Sequence, residues 1–191
     1  MKNLCVGFAM CGSFCTFDAA IEALETVCAE YKSVLPIMSD TAYGTDSRFG
    51  PANEFIRRVE KICNHPIIHT IPDAEPIGPN RLLDVLVIAP CTGNTLAKIA
   101  HGVTDTAVTM AAKAHLRNNR PLLLAISTND GLSANAQNLG VLLARKNIYF
   151  VPFCQDDPEK KPTSLVAELD LLPDAIDSAL RDEQLQPILC C

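Results

Sequence analysis

The most restrictive feature of this chain is an apolar, largely β-branched run at residues 85–89, which is followed at once by small and hydroxylated residues. Such a run is expected for a parallel strand covered on both faces, and Pro90 would end its hydrogen-bonding ladder. Residues 92–95 have little bulk to shield their backbone N–H groups, and a helix beginning there adds the positive end of its dipole. The stretch predicts a strand, an anion-binding loop and a helix, although simple capping of that helix by Thr92 or Asn94 would give the same pattern.

Five further strand-like runs alternate with helical patterns along the chain. The six predicted strands lie at residues 3–9, 33–38, 66–71, 85–89, 121–127 and 148–151. This alternation is typical of an α/β fold with a doubly wound, Rossmann-like parallel sheet, here of six strands. In the order 3-2-1-4-5-6, the first and fourth strands are neighbours, and ligands of such sheets bind beyond the carboxyl ends of the strands where the winding reverses. We therefore predict a ligand crevice between those two strands.

The length of 191 residues suits a single domain. We predict that residues 1–191 form one domain, in which residues 154–191 are a C-terminal extension. The charged, proline-bearing residues 155–162 predict a loop. Residues 165–180 then predict one or two amphipathic helices, broken at Pro173.

Composition excludes several classes of function. The formal net charge of -6 argues against a nucleic-acid surface, which needs a basic stripe to replace counterions. The sequence has no apolar run long enough to span a bilayer and no signal-peptide pattern at its start, so we expect a cytoplasmic protein. The nine cysteines are scattered without a Cys-x-x-Cys pair, which predicts reduced, mostly buried thiols and no metal site.

The loop after the first predicted strand is a second candidate for phosphate binding. Residues 7–13 have the glycine spacing of a P-loop, but Ser13 stands where that motif needs lysine, and the pattern Gly-x-Gly-x-x-Gly is absent too. Neither a nucleoside triphosphate nor a dinucleotide is therefore favoured. A single terminal phosphate needs only backbone N–H groups and one or two hydroxyls, which Gly12 and Ser13 could share with residues 92–95 across the crevice.

Residues 89–105 read Ala-Pro-Cys-Thr-Gly-Asn-Thr-Leu-Ala-Lys-Ile-Ala-His-Gly-Val-Thr-Asp. They resemble the Pro-Ala-Ser-Ala-Asn-Thr-x-x-Lys-x-x-x-Gly-x-x-Asp signature of the flavoprotein family that includes phosphopantothenoylcysteine decarboxylases and flavin prenyltransferases. The pair Gly12-Ser13 is similar to the Gly-Ser of that family's first loop. The resemblance implies a flavodoxin-like fold that binds FMN in the crevice and assembles into homo-oligomers, often trimers or larger.

A wider set of motifs resembles one branch of this family, the B subunits of bacterial dipicolinate synthases. These motifs lie at residues 77–79, 90–95, 110–117, 127–132, 148–153 and 160–165. The resemblance implies a subunit that works with an A subunit to oxidise dihydrodipicolinate to dipicolinate in the mother cell during sporulation. We hypothesise that FMN accepts a hydride from the dihydropyridine ring or relays electrons to NAD or NADP on the partner subunit.

Two alternatives stay open. The chain could be a non-catalytic scaffold that shapes or activates the A subunit, or a stand-alone FMN-dependent decarboxylase or prenyltransferase. Against the second alternative, the decarboxylases' Pro-x-Met-Asn substrate motif is replaced here by Ser-Thr-Asn-Asp at residues 127–130. The sequence also shows no equivalent of their mobile cysteine-bearing loop near the C-terminus.

The candidate cofactor-binding residues follow the predicted strands at one edge of the sheet. They are Gly12, Ser13, Ser39, Pro90, Thr92, Gly93, Asn94, Thr95 and Ser127. Ser39 and Ser127 could touch the flavin ring or ribityl chain, but turn capping explains them equally well. Asp130, beside Gly131, is better explained as turn chemistry than as catalysis.

Candidates for substrate chemistry are fewer. A dicarboxylate substrate needs cationic donors, and Lys113, His115 and Arg117 form a basic run in and after one predicted helix. Such a run also arises on a solvated surface or at a helix's negative end. His69 lies near the position where the resembling decarboxylases keep a catalytic base, so it is the candidate acid or base.

Overall fold

A computed structural model describes residues 1–190 of the chain and contains the alternation of strands and helices that the sequence predicts. Its strands are β1 (Lys2–Met10), β2 (Tyr31–Met38), β3 (Val85–Cys91), β4 (Leu122–Thr128), β5 (Ile148–Phe150), β6 (Phe153–Asp157) and β7 (Lys161–Ala167). Its α-helices are α1 (Phe17–Glu30), α2 (Asp40–Gly44), α3 (Ala52–Cys63), α4 (Ile71–Ala74), α5 (Gly93–His101), α6 (Ala107–Leu116), α7 (Ala136–Leu143) and α8 (Leu172–Ala179).

The sheet has the predicted doubly wound topology. β1 pairs in parallel with β2 on one side and β3 on the other, β4 pairs with β3, and β5 pairs with β4. The predicted neighbours, the strands at residues 3–9 and 85–89, are thus β1 and β3, with Val6 opposite Val85 and Ala9 opposite Ile88. The winding reverses between them, so the crevice of this fold is expected at their carboxyl ends.

In place of the strand predicted at residues 66–71, the structure has a single parallel β-bridge. Ile68 lies beside Ile37 at the outer edge of β2, where the Ile68 N–H donates to the Pro36 carbonyl and the Met38 N–H donates to the Ile68 carbonyl, both at 2.9 Å. The extended segment stays short because α4 begins at Ile71, capped by the Thr70 side chain. The predicted position in the sheet is right, and the predicted length is wrong.

The loop predicted at residues 155–162 is instead part of a β-hairpin. β6 and β7 pair antiparallel, and β7 also pairs antiparallel with the end of β4 through Ser127 with Val166 and Thr128 with Leu165. The sheet is therefore mixed rather than wholly parallel. Pro173 lies in the first turn of α8, where its missing N–H costs no hydrogen bond, so it starts a helix rather than breaking one.

The core surrounds β3, whose seven residues are all buried. α1 contacts α3 and α8, α6 contacts α4 and α5, and both α1 and α6 contact β3. Helices therefore cover the sheet on both faces, which explains the uninterrupted apolar run in the sequence. Within residues 1–190, no helix is both long and apolar enough to cross a membrane.

Gly102 is the C-cap residue of α5 and has a left-handed backbone of φ 72° and ψ 22°. A Cβ added at Gly102 would meet no atom within 4 Å, so a side chain there would be unfavourable only because of the left-handed backbone conformation. We expect Gly102→Ala to lower the free energy of unfolding by about 1 kcal/mol, measured by urea denaturation. Gly102→Asn is the matched control, because asparagine tolerates this conformation and should lose less; equal losses would contradict the explanation.

Candidate functional site

A cleft of about 460 Å³ opens at the carboxyl ends of β1, β2 and β3, where the winding reverses. We call it the main cleft, and its lining includes Gly12, Ser39, Thr41, Thr92, Asn94, Thr95 and Lys98. The Cys11 N–H donates to the Pro90 carbonyl at 3.2 Å, which joins the ends of β1 and β3 beneath it. The structure thus brings together the two loops that the sequence proposes as one anion site.

The start of α5 supplies hydrogen-bond donors to the main cleft. Thr92 caps this helix, because its Oγ1 accepts from the Thr95 N–H at 3.3 Å, and the first intrahelical bond runs from the Leu96 N–H to the Thr92 carbonyl. The backbone N–H groups of Gly93 and Asn94 precede that bond and are left for a ligand. The exposed Asn94 amide adds two further donors, so an anion fits at this end of the helix.

The hydroxyl groups of Thr92 and Thr95 donate hydrogen bonds within the protein rather than into the cleft. The Thr92 hydroxyl donates to Thr95 Oγ1 at 3.2 Å, and the Thr95 hydroxyl donates to the buried Cys11 Sγ at 3.2 Å. Burial in turn raises the pKa of the Cys11 thiol to about 11. Thr92 and Thr95 therefore shape the loop through this chain of hydrogen bonds, and the proton that each carries points away from a ligand.

Gly12 and Ser39 complete the opposite wall. A Cβ on Gly12 would lie 2.9 Å from Thr41 Cγ2, so the loop after β1 can approach the loop after β2 only because Gly12 has no side chain. Ser39 is buried and caps α2, accepting from the Ala42 N–H at 3.2 Å. The capping alternative for Ser39 is thus observed, and its own hydroxyl proton can still donate into the cleft.

Because Gly93 has no side chain, the loop after β4 can approach the start of α5. A Cβ on Gly93 would lie 2.5 Å from both Thr128 Oγ1 and Asn135 Nδ2, and 2.7 Å from Asp130 Oδ1. The Asp130 carboxylate accepts from the Thr128 hydroxyl at 2.5 Å and the Asn135 amide at 2.8 Å. The Thr128 hydrogen bond, helped by Asn135, lowers the pKa of Asp130. Asp130 is therefore an ionised member of the loop after β4, in line with turn chemistry.

Lys98 and Asp105 form an ion pair at the lip of the main cleft, with Nζ and Oδ1 2.9 Å apart. Hydrogen bonding from Lys98 lowers the pKa of the exposed Asp105 carboxyl. This pair explains why lysine and aspartate recur seven residues apart in the motif, with the helix-ending Gly102 between them. Neither residue is among the predicted site residues, although the motif spacing was the signal that could have found them.

Ser13 and Ser127 lie together, but in a neighbouring cleft. Their hydroxyl oxygens are 2.8 Å apart, and a cavity of about 240 Å³ beside them is lined also by Asn129, Lys161 and Ser164. We call it the hairpin cleft, because β7 supplies Lys161 and Ser164. Its residues from β7 were missed because the sequence predicts a loop there.

The remaining cofactor candidate, Pro90, is buried inside β3 and contributes only its carbonyl to the contact with Cys11. β3 continues through Pro90 to Cys91, so the proline does not end the ladder as expected.

His69, the candidate acid or base, is half-buried beyond the edge of β2. Its ring stacks on Tyr43 with 3.8 Å between ring centroids and an interplanar angle of 8°. His69 is not among the residues that line the main cleft, so its catalytic role stays a prediction.

The structure does not bring the basic run to either cleft. His115 lies near the amino end of β4, where its buried Nε2 is 3.0 Å from the Pro121 carbonyl. Lys113 lines a separate apolar groove with Arg145, and Arg120 pairs with Asp84 ahead of β3 at 3.2 Å. Arg117 is exposed and is the C-cap residue of α6, two residues after His115. A helix that starts at the carboxyl edge of the sheet necessarily carries its last residues away from it, so the predicted substrate role has no crevice contact to support it.

His115 makes a testable contribution to stability. Burial lowers the pKa of this histidine to about 4, so the folded protein keeps it neutral where the unfolded chain, at a pKa near 6.5, binds a proton. The neutral histidine therefore contributes about 3 kcal/mol to the free energy of unfolding above pH 6.5, and this contribution is lost as the pH falls to 4. We expect His115→Gln to flatten the fall in urea midpoint across this range, whereas exposed His101→Gln should not; equal slopes would contradict the assignment.

Comparison with known proteins gives consistent matches. The family model described as Flavoprotein matches residues 4–172. The dipicolinate synthase B subunit of Bacillus subtilis (strain 168) is 47% identical over 189 residues, which cover 99% of this chain and 94% of that protein. The crystal structure of the dipicolinate synthase B subunit from Bacillus halodurans C superposes with a TM-score of 0.91 at 44% identity, covering 100% of this chain and 99% of that one. An FMN-dependent cysteine decarboxylase, SpaF, shares the fold with a TM-score of 0.69 at 22% identity, covering 93% and 95%.

Proposed function

The chain belongs to the Flavoprotein family, and from this premise we propose that it is the B subunit of a dipicolinate synthase and that it binds FMN. In this role it acts with an A subunit to oxidise dihydrodipicolinate to dipicolinate in the mother cell of a sporulating bacterium. The observation that carries the proposal is the 47% identity to a dipicolinate synthase B subunit across 99% of the chain. That likeness includes both cleft-forming loops, because they lie within the matched length.

The main cleft has the donor set that a flavin phosphate needs. The N–H groups of Gly93 and Asn94 and the Asn94 amide would hold the phosphate, with Ser39 and the Gly12 backbone on the facing wall. The cleft is lined by two acidic residues, Asp40 and Asp105, and one basic residue, Lys98, so it has no excess of positive charge and recognition would rest on hydrogen-bond donors. When bound, FMN would supply the hydride-accepting chemistry that oxidation of a dihydropyridine ring needs.

The chain's own residues would position the cofactor. The Thr92, Thr95 and Cys11 hydrogen bonds fix the loop after β3, and the ion pair of Lys98 with Asp105 fixes the lip of the cleft. Ser13 and Ser127 remain our candidates for contacts to the ribityl chain or ring, beside the hairpin cleft. A rigid loop of this kind keeps its donors in place before the ligand arrives, which lowers the cost of binding.

The test of this function is to assay each subunit alone and both together, with and without added FMN. We expect dipicolinate to form only in the mixture and at least about tenfold faster with FMN, with NAD or NADP reduced on the A subunit. Full activity of the mixture after FMN is removed, with no flavin absorbance retained by this chain, would identify it as an activating scaffold. Release of carbon dioxide or prenyl transfer by this chain alone would identify the stand-alone enzyme instead.

Assembly follows from the same proposal. We expect a homo-oligomer, a trimer or larger, together with contacts to the A subunit. Native mass spectrometry of this chain, and of its mixture with the A subunit, measures both. A monomer that forms no complex with the A subunit would contradict the proposal.

A further inference from the structure

Two cysteines face each other between α1 and α3. Cys28 lies in the last turn of α1 and Cys63 is the last residue of α3, with 4.0 Å between their sulfur atoms. Cys28 is half-buried, whereas Cys63 is only 7% exposed. A small reagent can therefore reach the Cys28 sulfur, and the buried Cys63 sulfur lies next to it.

The pair is also chemically unequal. The Cys28 thiol donates a hydrogen bond to Cys63 Sγ. Once Cys28 has lost its proton, the Cys63 thiol can donate to the Cys28 thiolate instead, which lowers the pKa of Cys28 and raises the pKa of Cys63. Burial raises the pKa of several other thiols instead, namely Cys5, Cys11, Cys91 and Cys154. Since the thiolate is the form that reacts, Cys28 is the favoured nucleophile among these sulfurs.

We propose that Cys28 and Cys63 form a site of reversible oxidation, at which a hydroperoxide converts the two facing thiols into a disulfide. In the first step the Cys28 thiolate attacks the hydroperoxide, giving a sulfenic acid and releasing the alcohol, or water from hydrogen peroxide. In the second step Cys63 loses its proton and attacks the Cys28 sulfur, which forms the S–S bond and expels water. The two thiols lose two electrons, and the hydroperoxide gains them.

The bond would join the C-terminal ends of α1 and α3. In a parallel doubly wound sheet these ends lie at the edge opposite to the crevice, so the main cleft is not altered directly. A bond from Cys28 to Cys63 closes a loop that contains β2, α2 and α3, and it would restrict the unfolded chain over that length. The oxidised protein should therefore gain thermal stability of about 5 °C in Tm.

The experiment treats the full-length, fully reduced protein with hydrogen peroxide and maps its peptides without reduction. We expect a cross-linked peptide pair containing Cys28 and Cys63, a mass lower by two hydrogens, and the rise in Tm, all reversed by dithiothreitol. Cys28→Ser and Cys63→Ser should each abolish the cross-link and the Tm rise. Cys15→Ser, which removes an exposed thiol elsewhere, should retain both.

A trapping measurement keeps the test decisive if either serine variant is unstable. In Cys63→Ala the sulfenic acid on Cys28 has no partner and should be captured by a 1,3-diketone reagent. Failure to label Cys28 in this variant, or cross-links in the natural protein that join other cysteines in place of this pair, would overturn the proposal. So would oxidation of the natural protein without any change in Tm.

Discussion

Gly93→Ala is expected to abolish measurable FMN binding and to lower the free energy of unfolding by about 2 kcal/mol. The new methyl group would meet Thr128, Asp130 and Asn135 at 2.5 to 2.7 Å, where real Cβ atoms are not found. Either these three side chains, which are hydrogen-bonded to one another, or the first turn of α5 must then move. Movement of α5 displaces the N–H groups proposed to hold the phosphate. FMN fluorescence titration and urea denaturation measure the two effects.

Gly140→Ala is the matched control for this change. Gly140 lies inside α7, and a Cβ there would meet no atom within 4 Å. Alanine should stabilise the helix by about 0.5–1 kcal/mol and leave FMN affinity unchanged. If Gly93→Ala behaved like Gly140→Ala in both measurements, the loop after β4 would not be packed against α5 as described.

The parallel part of the fold was predictable because its signal is local. A strand buried on both faces must be apolar at every position, and β3 is buried along its whole length. Once the strands were assigned, the positions of Gly12 and Asn94 at one edge followed from topology alone. This is why the two halves of the main cleft could be proposed from residues about eighty positions apart.

The hairpin was missed for a physical reason. β6 lies at the edge of its sheet, and after Phe153 its residues are partly or fully exposed, so they carry charge rather than an apolar pattern. β7 has its proline at the exposed end and buries only Ser164, Leu165 and Ala167. Edge strands tolerate charge and proline, and this composition is typical of a loop.

The roles of the hydroxyl groups were also beyond the sequence. Thr92 and Thr95 have the side chains of phosphate ligands, yet their protons are taken up by Thr95 Oγ1 and Cys11 Sγ. Ser13 likewise pairs its hydroxyl with that of Ser127, 114 positions away. Such pairings depend on side-chain directions across the crevice, which no local pattern encodes. The donors that remain in the main cleft are the backbone N–H groups at the start of α5, the Asn94 amide and the Ser39 hydroxyl. The sequence predicts the backbone donors, but it does not show which hydroxyl groups stay free.

Asn94→Asp is expected to weaken FMN binding about 100-fold while leaving riboflavin binding within about twofold. The variant replaces the exposed amide at the second position of α5 by a carboxylate, which would repel a phosphate held at the same helix end. Riboflavin lacks the phosphate and should not respond. Paired titrations of both flavins against both proteins therefore separate phosphate recognition from recognition of the ring.

The chain contains a closely matched control for that substitution. Asn53 is also exposed and also occupies the second position of a helix, α3, whose start lies outside the residues lining the main cleft. Aspartate near a helix N-terminus interacts favourably with the dipole, so neither variant should unfold more easily. Asn53→Asp should leave both affinities unchanged. If the two variants weakened FMN binding equally, or if Asn94→Asp weakened FMN and riboflavin alike, the phosphate would not be held at α5, and the main cleft would need a different ligand.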